Sequence, residues 1–166
     1  SAALPYCKNL LAIGEKLRRG SEEPLARFMQ ALCDYALGNN TLENNASDQE
    51  EITIDESLQA LRSTDAKQRL TYALNRAALL DLKFKNWDSA ISRATEALEN
   101  AEIMERASEL LTSRVVLTEA FKAKADEKLF KFYLKAVLAT PETVGAQWAR
   151  ERAIKLKENY KGQANA

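Results

Sequence analysis

The 166-residue chain is long enough for a sizeable hydrophobic core, and its 46% hydrophobic and 29% charged residues are typical of a soluble globular protein. It holds only 5 glycines and 3 prolines, fewer than the turns of a β-sandwich or barrel need, so the composition favours helices. The 24 basic and 24 acidic residues give no net charge, which argues against a dedicated nucleic-acid-binding protein. The absence of histidine excludes Ser-His-Asp and Cys-His catalysis and every histidine-ligated metal site.

The ends of the chain and its two cysteines carry no targeting or framework signal. No stretch approaches about 18 consecutive apolar residues, and the N-terminus lacks the basic and apolar regions of a signal peptide. We therefore expect a cytoplasmic protein with no membrane insertion. The chain begins with Ser1, which we interpret as a fragment of a longer protein or a processed chain. Cys7 and Cys33 sit among apolar helical residues and are interpreted as two buried hydrophobes, and no pattern of spacings supports a disulfide between them.

Apolar residues recur at helical spacing in eight segments, and no segment has the alternation of a strand. Mostly short turns separate the segments, so neighbouring helices are expected to be antiparallel. Residues 39–51 are the exception, a polar loop without apolar periodicity. The predicted helices cover residues 4–20, 22–37, 54–63, 66–84, 88–100, 103–123, 127–137 and 142–160.

Several helix ends carry recognisable signals. Gly20 is well placed to end the first helix, and Thr64 or Asp65 can cap the fourth. Asp126 can cap the seventh helix. Residues 140–142, Thr-Pro-Glu, combine a cap, a proline in the first turn and an acidic residue near the positive end of the helix dipole, and they predict the start of the last helix.

Small and aromatic residues recur at particular places in residues 74–98. Trp87 lies just before the second helix of this pair, where an aromatic side chain fills the gap at the turn. Small side chains along both helices would let them approach closely; they are Ala77, Ala78, Ala90 and Ala97. This pattern resembles the tetratricopeptide repeat. Lys85 stands where that family has glycine, and Ala94 stands where it has a large residue.

Two weaker copies extend the resemblance to residues 22–141. In one copy, Tyr133, Ala136 and Pro141 match the pattern, and the offset from Ala97 to Ala136 is longer than the family's usual repeat. The other consists of the second and third helices with the polar loop 39–51 between them. The resemblance implies an all-α fold, an α-α superhelix of antiparallel helix pairs (a TPR-like solenoid), in a single domain spanning 1–166. Residues 4–20 and 142–160 would be the capping helices, and residues 22–141 about three helix pairs.

No enzyme signature is present. The chain lacks a glycine-rich phosphate loop, a GxSxG turn and a CxxC pair, so we expect no catalysis, no cofactor and no metal. The acidic stretch 43–56 lacks the alternating acids and central glycine of an EF-hand and is interpreted as a solvated loop.

Charge is unevenly distributed along the chain. Residues 38–66 contain seven acidic residues and one basic residue, a net charge of −6, whereas residues 114–161 contain eleven basic and six acidic residues, a net charge of +5. In the family, the first helix of each pair lines a concave groove. By the motif, the groove would present Asn75, Leu79, Lys83, Arg114, Thr118, Lys122, Trp148, Arg152 and Lys155. Cations beside an aromatic residue suit an acidic peptide or a free C-terminal carboxylate.

Two functions follow from this interpretation. The first is a non-catalytic scaffold that binds a protein or peptide partner in the groove. The alternative is a ligand-sensing or regulatory segment of a larger bacterial signalling or transcription-regulatory protein. An enzyme that uses only carboxylates or lysine is disfavoured.

Overall fold

The structure, a computed structural model, describes residues 4–17, 20–37, 53–64, 66–141 and 146–164. Within these ranges the protein is all-helical, with eight helices and no strand, as predicted. The helices are α1 (Leu4–Leu17), α2 (Glu22–Leu37), α3 (Ile54–Arg62), α4 (Lys67–Lys83), α5 (Trp87–Ile103), α6 (Ala107–Ala123), α7 (Glu127–Leu138) and α8 (Gln147–Ala164).

One helix start and one predicted cap differ from the sequence-based prediction. α6 begins at Ala107 rather than 103, because Glu105 has a left-handed backbone with φ 53°. α8 begins at Gln147, directly after Ala146, which has a left-handed backbone with φ 81°. Thr64 does not cap α4: its hydroxyl donates backwards to the Leu61 carbonyl at 2.8 Å and so closes α3.

Some predictions fall on parts of the chain outside the described residues. These are the polar loop 39–51, the cap at Asp65 and the predicted helix start at Glu142. The side chain of Cys7 also lies outside the described residues, so its pairing with Cys33 stays untested.

The chain divides into two compact units, residues 1–73 and 74–166, with the boundary inside α4. The single domain predicted from the sequence therefore stays a prediction. In the first unit α2 packs against both α1 and α3. Gly14 lets α1 come close to α2, since a Cβ there would lie 2.8 Å from the Glu23 Cα. Arg69 donates to Glu22 at 2.7 Å and to Ser21 at 2.8 Å, and this contact lowers the pKa of Glu22.

In the second unit, three short turns recur at equal intervals along the chain. Each has one residue in the left-handed region: Lys85, Glu105 and Ala125, with φ of 63°, 53° and 58°. The residue after each one donates its backbone N–H to a carbonyl five residues earlier, at 2.9–3.0 Å. This is the Schellman arrangement that ends a helix and reverses the chain. Consecutive helices from α4 to α7 are therefore antiparallel, and one helix pair fills the interval from the start of α4 to the start of α6.

The left-handed turn residues make glycine a stabilising replacement there, although glycine within a helix is destabilising. Replacing Lys85 with glycine should raise the free energy of unfolding by about 0.5–1 kcal/mol, because the strain of a left-handed lysine exceeds the entropy cost of glycine. Replacing Glu99, exposed in the middle of α5, with glycine should lower it by about 1 kcal/mol. Urea denaturation measures both changes. Equal losses in the two variants would contradict the turn geometry.

Two apolar clusters form the core of the second unit. In the first, small side chains of α5 pack against α4 and α6, with Trp87 and Tyr133 half-buried at its edge; its buried residues are Ala78, Leu82, Ala90, Ala94, Val116, Leu117 and Ala120. The second joins α6, α7 and α8; its buried residues are Leu111, Val115, Phe130, Leu134, Val137, Ala149 and Ala153. Alanines on the facing surfaces allow the close helix approach that the sequence pattern predicts.

Candidate functional site

Two buried polar links connect α4 to the helices that follow it. The Asp81 carboxylate accepts from the Arg93 guanidinium of α5 at 2.7 Å, and both side chains are almost completely buried. Asn75 is also buried. Its amide donates to the Glu109 carboxylate at 2.7 Å and to the Glu109 carbonyl at 3.2 Å, and its oxygen accepts from the Ser113 hydroxyl at 2.8 Å. The hydrogen-bonding groups of Asn75 are thus used to hold α4 against α6.

Three more of the nine predicted groove residues lie largely inside the unit. Thr118 is buried, and its hydroxyl donates to the carbonyl of Arg114, another predicted groove residue on the same helix, at 2.7 Å. Arg114 is half-buried, 3.7 Å from the Glu102 carboxylate. Leu79 is half-buried and packs against the first apolar cluster. These positions contribute to packing between helices.

The remaining five predicted groove residues present side chains to solvent. Lys83 is exposed at the end of α4, with its ammonium 5.5 Å from the centre of the Phe84 ring. Lys122 is half-buried in the last turn of α6. The other three are exposed on α8 at intervals of four and three residues, which places them on one face of that helix: Trp148, Arg152 and Lys155.

The direction of α8 follows from its contacts with α7. Tyr160, late in α8, donates its hydroxyl to Glu127 at the start of α7, and its ring centre lies 5.0 Å from that of Phe130. Arg150, early in α8, donates to the Thr140 carbonyl just beyond the end of α7. α8 is therefore antiparallel to α7. Because α7 is in turn antiparallel to α6, the helices α6 and α8 are parallel.

A salt bridge fixes α8 beside α6. The Arg152 guanidinium contacts the Glu119 carboxylate through both Nε and Nη2, and the Nη2–Oε2 distance is 2.6 Å. Lys122 and Lys155 each lie three residues beyond this bridge on parallel helices, so they stand at the same level. We call Lys122, Trp148, Arg152 and Lys155 the basic α6–α8 surface. The structure thus brings four of the nine predicted residues to one region, while Asn75, Leu79 and Lys83 belong to α4.

The sequence pattern did not predict the acidic residues that join neighbouring helices in three of the contacts. Glu119 and Arg152 are 33 residues apart, and Asn75 and Glu109 are 34 residues apart. Asp88 and Lys124, which also form a salt bridge, are 36 residues apart. A search for complementary polar residues separated by roughly one helix pair would have found these links, because such residues lie on adjacent helices of a stack.

Hydrogen bonds shift the pKa of two groups on α7 that lie against Tyr160 of α8. Hydrogen bonds from Lys131 and then Tyr160 lower the pKa of Glu127, and the same contact with Glu127 raises the pKa of Lys131. Elsewhere in the unit, burial raises the pKa of Tyr133, and the negative charge of Glu102 adds to this effect. The Tyr133 ring stacks on Phe121 at 5.8 Å between ring centres.

Two kinds of site, a metal centre and a membrane span, can be checked directly in the described residues. They contain no group of three or more cysteine or acidic side chains arranged to hold a metal ion. No helix in the described ranges is long and apolar enough to cross a bilayer. What this part of the chain presents is cationic and aromatic side chains on adjacent helices.

The chain matches no family model, no curated protein and no solved structure.

Proposed function

We propose that this chain is a non-catalytic binding module of stacked, TPR-like helix pairs, and that it binds an acidic segment of a protein partner on the basic α6–α8 surface. The evenly spaced turns and the equal lengths of α4, α5 and α6 in the second unit support the repeat architecture. In such a stack, each pair buries its apolar faces against its neighbours and leaves a polar surface for a partner.

The observation that carries the proposal is the placement of three cations and Trp148 along two parallel helices. Arg152 and Lys155 are exposed on α8, and Lys122 lies at the same level on α6. The guanidinium can bind a carboxylate through two parallel hydrogen bonds, and lysines add less directional attraction. An extended peptide with several carboxylates can contact all three cations while an apolar side chain packs on the indole ring.

A charge-reversal experiment tests the proposed surface. The probe is a fluorescein-labelled peptide of about twelve residues, about half of them glutamate, which has the extended acidic character that basic clusters recognise. Replacing both Lys122 and Lys155 with glutamate should weaken binding at least about tenfold, because attraction becomes repulsion at both positions. Fluorescence anisotropy measures the dissociation constant.

A matched variant separates this surface from a general charge effect. Lys128 and Lys135 are exposed on α7, and their replacement with glutamate changes the net charge of the protein by the same amount. This control should weaken binding much less than the change of Lys122 and Lys155. Equal weakening by both double variants, or no binding of the peptide by the unaltered protein, would contradict the proposal.

A further inference from the structure

The cation at the centre of the basic α6–α8 surface already has a carboxylate partner. An arginine side chain has five N–H donors, and Glu119 engages Arg152 through Nε and Nη2, two of its three nitrogens. The Glu119 side chain is only 16% exposed, whereas that of Arg152 is 44% exposed. The internal carboxylate therefore lies beneath the guanidinium, and solvent reaches Arg152 from its other side.

We infer that Glu119 is a built-in competitor for acidic ligands at Arg152, an inference that rests on the proposed function of this surface. A ligand carboxylate at Arg152 must either displace Glu119 from the Nε and Nη2 edge or bind on the outer side, close to a like charge. Both routes weaken the binding of a single carboxylate. A segment with several carboxylates offsets this loss through Lys122 and Lys155. Glu119 therefore selects for partners with clustered acidic residues over those with one.

The position of α8 does not depend on this bridge alone. Ala149 and Ala153 are buried in the second apolar cluster, and Tyr160 contacts both Glu127 and Phe130 on α7. Loss of the Glu119 charge should therefore leave α8 in place and change only the electrostatics at Arg152. This separates the inferred role of Glu119 from a purely structural one.

The test uses Glu119→Gln in the full chain with the glutamate-rich peptide described above. This variant should bind the peptide about fivefold to tenfold more tightly than the unaltered protein, because Arg152 is freed from its internal partner. Glu99→Gln is the matched control: it makes the same charge change at an exposed position on α5 and should leave the affinity nearly unchanged. In an Arg152→Gln background, the gain from Glu119→Gln should fall to the level of that control.

The outcomes distinguish the inference from the proposed function. If the unaltered protein binds the peptide but Glu119→Gln binds no more tightly, Glu119 is not a competitor and the proposed function stands. A gain that persists without Arg152 would show a general charge effect and would also overturn the inference. If neither protein binds the peptide, the proposed function fails and the inference fails with it. A circular dichroism melt of each variant checks that α8 remains folded.

Discussion

Replacing Asp81 with alanine should lower the free energy of unfolding by about 3–5 kcal/mol, because it leaves a buried guanidinium without its carboxylate. The side chain of Asp81 is 2% exposed and that of its partner Arg93 is 12% exposed, with 2.7 Å between the paired atoms. In that environment water replaces the lost carboxylate poorly. The bridge joins α4 to α5 beneath the turn at Lys85, so its loss should destabilise the second unit as a whole.

A second interhelical aspartate provides the control for this prediction. Asp88 forms a salt bridge with Lys124, but its side chain is 88% exposed. Replacing Asp88 with alanine should therefore cost no more than about 1 kcal/mol, as is usual for exposed ion pairs. Urea denaturation compares the two variants. A loss at Asp81 as small as that at Asp88 would show that the buried bridge does not contribute as its burial implies.

Replacing Phe130 with alanine should also lower the free energy of unfolding by about 3–5 kcal/mol, since it opens a cavity in the core. Phe130 is buried in the cluster that joins α6, α7 and α8, and its ring contacts that of Tyr160. The variant should therefore loosen α8 as well as destabilise the unit. Binding of the glutamate-rich peptide, which depends on Arg152 and Lys155 of α8, should weaken along with stability.

Phe132 offers a control two residues away on the same helix. Its side chain is 62% exposed, although its ring makes an edge contact with Tyr133. Replacing Phe132 with alanine should change the free energy of unfolding by less than about 1 kcal/mol, as is usual for surface substitutions. Similar losses for Phe130 and Phe132 in urea denaturation would contradict the packing described for α7.

The helices were predictable because their apolar residues recur with the helical period and short polar turns separate them. The left-handed residues were harder to place. Glycine is expected in this conformation, but Lys85, Glu105 and Ala125 occupy it here. Lys85 could be identified by its position two residues before Trp87, where the tetratricopeptide pattern that this segment resembles has glycine. Glu105 carries no such signal, so α6 was predicted to begin four residues too early.

For the candidate site, the sequence predicts which residues share one face of a helix. It does not predict which residues are buried, because burial depends on the register between helices. Trp148, Arg152 and Lys155 follow from their spacing on α8. The motif matches Asn75 of α4 to Arg114 of α6. The number of residues between these two is one fewer than the number between the starts of the two helices, Lys67 and Ala107. A shift of one residue turns a side chain by about 100° around the helix axis. This is why pattern matching alone could not tell that Asn75 and Thr118 are buried.

The most direct test of the basic α6–α8 surface is an NMR titration of the full chain with the glutamate-rich peptide, in which the indole N–H signals of the two tryptophans are followed. The chain has 2 tryptophans: Trp148 lies on the basic α6–α8 surface, and Trp87 is half-buried at the start of α5. We predict that the Trp148 signal moves with added peptide, together with backbone signals around Lys122 and Lys155, while the Trp87 signal stays in place. Movement of Trp87 without Trp148, or of neither, would contradict binding at this surface.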